Sequence, residues 1–133
     1  SSEQGAIQQA PERLFAVTLM TLLQRQDVLL GGKEEFAEAP HSYLGVVEGG
    51  YWFLWPQETY QAIAGYYNAG GGCFPLSANA LWNALANAGI LLKAKTVRHG
   101  ETYYENGTKV SFAGRPRLLK IDPAKLKAMA EDE

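Results

Sequence analysis

The sequence predicts an α+β domain, and three observations carry that expectation. Apolar residues around Leu19 and around Leu81 recur at helical spacing. After Gly89 the period changes to strand-like alternation. Glycine-containing dipeptides stand where tight turns would join neighbouring strands. At 133 residues, 47% hydrophobic and 20% charged, the chain has the size of one domain and enough apolar matter for a core without disulfides or metal.

The chain opens Ser1-Ser2-Glu3 without an initiator methionine. Residues 1–10 are therefore expected to be a disordered or vector-derived leader, and residues 11–130 a single domain. The lone cysteine, Cys73, rules out an internal disulfide and suits a reducing compartment. The apolar stretch Leu14 to Leu23 is too short to span a membrane and lacks the basic flank of a signal peptide. A cytoplasmic location without a membrane partner is the expectation.

Each element has a local reason. Pro11 suits a first helical turn, and the pattern from Leu14 to Val28 predicts a helix over Pro11 to Leu30, ended by Gly31-Gly32. Lys33 to Ser42, acidic and carrying Pro40, reads as a connecting loop with room for one turn of helix. Leu44 to Glu48 and Tyr51 to Trp55 read as strands joined by Gly49-Gly50, a pair suited to a primed hairpin turn. Alternation puts Trp52 and Leu54 on one face and Tyr51, Phe53 and Trp55 on the other, a strand covered on both sides or one with an exposed partner surface. Pro56 opens a second helix to about Asn68. Ser77 caps a third, ended by Gly89, on which Asn79, Asn83 and Asn87 share a polar face at intervals of four. Lys93 to Arg98, Glu101 to Glu105, Lys109 to Phe112 and Arg117 to Ile121 read as strands. His99-Gly100 and Asn106-Gly107 are the turns, the second being the stronger hairpin signal. Asp122-Pro123 starts a terminal helix.

From Pro75 onward the order is helix, strand, hairpin, strand. That is the order of a winged helix, so the full expectation is an α+β, winged-helix-like domain with an additional N-terminal helix and β-hairpin. Charge gives it a polarity. Residues 1–92 carry three bases against eight acids, whereas residues 93–120 carry seven bases against Glu101 and Glu105. A basic wing of Lys93, Lys95, Arg98, Lys109, Arg115 and Arg117 could neutralise phosphates. Asn79, Asn83 and Asn87 could pair with adenine edges in a major groove, although recognition helices usually carry Arg or Lys and this one has neither; the simpler reading is a solvated face. Nucleic acid is thus the expected partner, with the wing as its main contact.

The segments HSYLGVVEGGYWFLWPQETYQAIAGYY and CFPLSANALWNALANAGILLKAK, the Asn-Gly turn and RLLKIDPAKL together resemble the C-terminal domain of conjugal-transfer nickase/helicase proteins, formerly a domain of unknown function. The likeness covers about Pro11 to Met129 and rests on apolar positions and turns, not on a catalytic motif. It implies a winged-helix-like accessory domain of a mobile-element protein, with DNA as partner and the enzymatic parts elsewhere in the parent protein. It transfers no functional residue.

Catalysis has little to stand on. Tyr66-Tyr67 and Tyr103-Tyr104 raise a relaxase-type nucleophile, but such sites need a metal held by about three histidines, and the chain has His41 and His99 alone. Tyr67 reads as core packing, and Tyr103 and Tyr104 should point to opposite faces of a strand. Cys73 reads as a small buried hydrophobe. His99 with Glu101 gives two metal ligands and no more. The glycines before Cys73 lack the Gly-Lys-Ser/Thr of a phosphate loop. No catalytic residue, metal or cofactor is expected. The rival reading is a protein-interaction or dimerisation module, docking other transfer proteins or a second copy through the aromatic hairpin or the acidic N-terminal half.

Overall fold

A computed structural model describes residues 9–131, so most of the expected leader lies outside the described residues. The chain is mixed α+β, with five α-helices, a five-stranded sheet and a separate two-stranded ribbon among the described residues. In chain order these are α1 (Pro11–Gln24), β1 (Leu30–Gly31), α2 (Lys33–Glu38), a 3-10 turn (Pro40–Ser42), β2 (Gly45–Glu48), β3 (Tyr51–Leu54), α3 (Pro56–Ala69), α4 (Ala78–Asn87), β4 (Ala94–Arg98), β5 (Glu101–Glu105), β6 (Gly107–Lys109), β7 (Arg117–Ile121) and α5 (Pro123–Glu131). The main sheet runs β1-β2-β3-β7-β6, and β4 pairs only with β5.

The first helix stops six residues earlier than the glycines suggested, at Gln24 rather than Leu30. Gln26 takes φ 61°, and the amides of Gln26 and Asp27 donate to the carbonyls of Leu23 and Leu22. This is a Schellman closure on a residue other than glycine. The chain freed by that stop supplies β1, which pairs parallel with β2 through Leu30↔Gly45 and Gly31↔Val46. The segment expected as a loop with room for one turn of helix holds the six-residue α2, whose Phe36 is fully buried.

The hairpin expected as an addition is instead the middle of the main sheet. β3 pairs with β2 on one side and with β7 on the other. Its turn is as expected: Glu48 pairs with Tyr51, and Gly49 and Gly50 take φ 60° and 83°. Two cores follow from the alternation along β3. Trp52 and Leu54 join Leu119 and Ile121 beneath α1, α3, α4 and α5, with Phe15, Leu19, Ile63, Leu81, Leu85 and Leu126 fully buried there. Phe53 joins Val46, Leu118, Val110 and Phe36 on the opposite face, with Tyr51 and Trp55 packed against them. The aromatic strand is therefore covered on both sides. Phe15 meets Trp82 edge-on at 6.1 Å, fixing α1 against α4.

The last third departs most from the sequence reading. Of the two turns expected there, His99-Gly100 forms, at φ 51° and 77°, between β4 and β5. Asn106-Gly107 is no hairpin turn. There the chain leaves the ribbon and enters β6, which pairs with β7. Gly107 serves close packing, since a Cβ would lie 3.2 Å from the Cβ of Arg117. The β6–β7 connection turns at Ala113, Gly114 and Arg115, all with positive φ.

Candidate nucleic-acid interface

Helix α4 and the β4–β5 ribbon are consecutive in sequence and joined in space. Ser77 accepts from the Ala80 amide to start the helix, and Gly89, at φ 78°, ends it. Leu81, Trp82 and Leu85 bury one side, which leaves Asn79, Asn83 and Asn87 exposed on another. Leu91 then bridges to Ile121 and the Leu92 amide donates to the Lys120 carbonyl, anchoring the chain to β7 before it departs as the ribbon.

A polar seam holds the ribbon to α4. The Asn106 amide donates to Oδ1 of Asn79 at 3.1 Å and to Oδ1 of Asn83 at 3.3 Å, and the Lys93 ammonium also reaches Oδ1 of Asn83 at 3.3 Å. Directly paired residues of an antiparallel ladder share a face. One ribbon face therefore carries Lys95 opposite Tyr104 and Val97 opposite Thr102, and continues towards α4 through Lys93 and Asn106. Val97 is 62% and Tyr104 63% exposed, so this face meets solvent, not core.

The other face carries Arg98 opposite Glu101, Thr96 opposite Tyr103 and Ala94 opposite Glu105. Here the carboxylates lie. Glu105 pairs with Arg98 at 3.3 Å and with Arg117 at 2.6 Å, and Glu101 accepts from the Tyr103 hydroxyl at 2.7 Å. That last bond, with a smaller effect of desolvation, pushes the Tyr103 phenol up from its ordinary value.

The nine residues singled out in the sequence thus divide. Asn79, Asn83, Lys93 and Lys95 line α4 and the carboxylate-free ribbon face. Arg98 and Arg117 belong to the other side, both on Glu105. Lys109 is directly opposite Arg117 in the β6–β7 ladder, a like-charge pairing that Glu105 relieves from one side. Arg115 shares with Lys109, Val110 and Ser111 a surface depression of about 260 Å³. Asn87 is exposed and outside the hydrogen-bonded seam.

Two residues of this surface carry other expectations in the sequence, Tyr104 as one of a nucleophile pair and Asn106 as a turn residue, and neither is expected at a nucleic-acid contact. A signal for the surface was nevertheless present: no Asp or Glu occurs between Glu58 and Glu101, a run that contains α4, β4 and the bases Lys93, Lys95 and Arg98.

The groups considered for chemistry do not converge. Cys73, expected to be buried, is exposed. Tyr67 is half-buried against the main core, with its ring edge-on to Phe74 at 5.5 Å. His41 stacks on Trp55 at 5.5 Å. Among the described residues no three His, Cys, Asp or Glu side chains come together as a metal site, and no helix is long and apolar enough to cross a membrane.

Compared with known proteins, the chain matches no family model, no curated protein and no solved structure at a significant level.

Proposed function

We propose that this chain is a non-catalytic, winged-helix-like accessory domain that binds nucleic acid, DNA in the first instance, through α4 and the adjoining face of the β4–β5 ribbon. The observation that carries the reading is the segregation of charge on that ribbon. Glu101 and Glu105 lie on one face and are engaged by Tyr103, Arg98 and Arg117. Lys93 and Lys95 lie on the other, beside an uncharged helix, with no carboxylate within ion-pair reach among the described residues. Such a surface lowers the cost of approach for a polyanion and releases its counterions.

In winged-helix terms α4 is the recognition helix and the ribbon is the wing. The resemblance of the sequence to the C-terminal domain of conjugal-transfer nickase/helicase proteins adds a cytoplasmic setting at the end of a relaxase- or helicase-like protein. Of the two surfaces of the rival interaction module, the aromatic strand β3 is packed on both faces, which leaves that reading the acidic N-terminal half.

Charge reversal at Lys93 and Lys95 together tests the reading. Both side chains are exposed, so the fold should persist while low-salt binding to DNA is lost. Unchanged binding by the double variant would overturn it.

A further inference from the structure

We infer that Tyr104 is a stacking platform for the bases of a single-stranded nucleic acid, with Lys95 and Lys93 beside it taking the backbone phosphates. The inference rests on the nucleic-acid reading above and narrows it to one form of ligand.

Three features point that way. Tyr104 is 63% exposed on a ribbon that leaves the body of the protein, and its ring stacks on no other aromatic side chain among the described residues. A duplex hides its base faces in its own stack, whereas a single strand offers them to a flat ring, and every base has one. Second, Lys95 pairs directly with Tyr104 across the ladder, so cation and ring stand on the same face with no carboxylate between them. Third, α4 is poorly equipped to read a duplex. It carries no Arg or Lys, and Oδ1 of Asn79 and of Asn83 already accepts from Asn106, and in the case of Asn83 also from Lys93.

Tyr103 is the built-in control. It is the same residue type, one position away and 45% exposed, but it lies on the acidic face with its hydroxyl on Glu101. A non-specific contribution from any exposed tyrosine would appear at both positions.

The experiment is fluorescence anisotropy on the full chain at low salt, with labelled oligodeoxyuridine, oligouridine and a duplex of equal length. Either single strand should bind ahead of the duplex, and the tighter of the two identifies the sugar. Tyr104→Ala should weaken single-strand binding about tenfold, while Tyr104→Phe and Tyr103→Ala should stay within about twofold of the parent. Equal losses for Tyr103→Ala and Tyr104→Ala, no loss for Tyr104→Ala, or preference for the duplex would overturn the inference. If binding needs Lys93 and Lys95 but not Tyr104, stacking fails and the wider reading stands. If no probe binds at low salt, both fail.

Discussion

The side-chain amide of Asn106 donates to Oδ1 of Asn83, 23 residues earlier in the chain, at 3.3 Å. With the companion bond to Asn79, this sets the angle between the ribbon and α4. β4 and β5 pair with no strand of the main sheet, so side chains at the ribbon's base decide how it is held.

Asn106→Ala is therefore expected to cost about 1 kcal/mol of stability in urea denaturation, the usual net worth of such hydrogen bonds. Amide hydrogen exchange should rise mainly in β4 and β5, while the core strands β3 and β7 keep their protection. Uniform acceleration across the chain would show that Asn106 supports the whole fold, not the ribbon's placement.

Glu105 separates the two sets of basic residues, holding Arg98 and Arg117 on the face away from Tyr104. Its ion pairs are largely exposed, so Glu105→Gln should change stability by less than about 1 kcal/mol. Because the released arginines stay on that other face, the salt dependence of nucleic-acid binding should keep the parent slope. A steeper slope would place Arg98 and Arg117 in the interface.

Tyr67 makes stability depend on alkaline pH. Burial pushes its phenol up from the ordinary value of 10.0, outweighing the opposing hydrogen bond with Thr18, and the neighbouring Tyr66 adds to the rise. A group with a raised folded pKa contributes stability that is complete below its unfolded pKa and is lost as pH climbs through the folded one. Thermal unfolding should therefore show stability falling above about pH 10. In Tyr67→Phe that fall should be shallower, and an identical pH profile in the variant would remove Tyr67 as its source.

Much of the fold was legible because local chemistry and tertiary packing agreed. Gly49-Gly50, Ser77 and Gly89 each occupy the conformation their residue type favours. The alternation of β3 assigned its residues to the two faces as the structure has them, and of the two packings it allowed the covered one holds. The misreadings share one physical origin: tertiary contacts overrode a local preference. Gln26 adopts a left-handed conformation that the sequence reading reserved for Gly31. His99-Gly100 forms its expected turn, whereas Asn106-Gly107 has the chemistry of a tight turn but forms none: the asparagine is bound by α4 and the glycine accommodates Arg117. At the candidate site, the basic residues could be counted from the sequence, but their division between two faces could not. That division depends on the β4–β5 register and on what lies beside it, and a hairpin at Asn106-Gly107 would have added β6 as a second partner of β5, where β6 pairs with β7 instead.

Binding of nucleic acid by the carboxylate-free surface of α4 and the ribbon is proposed to run through Lys93 and Lys95. The most direct measurement is a salt titration of single-strand affinity for the parent chain and for the double variant Lys93→Gln/Lys95→Gln. Each phosphate contact contributes about 0.7 to the slope of log K against log salt, so losing two lysines should flatten it by about 1.4. A parent chain that binds nothing at low salt, or a double variant whose slope equals the parent's, would contradict the claim.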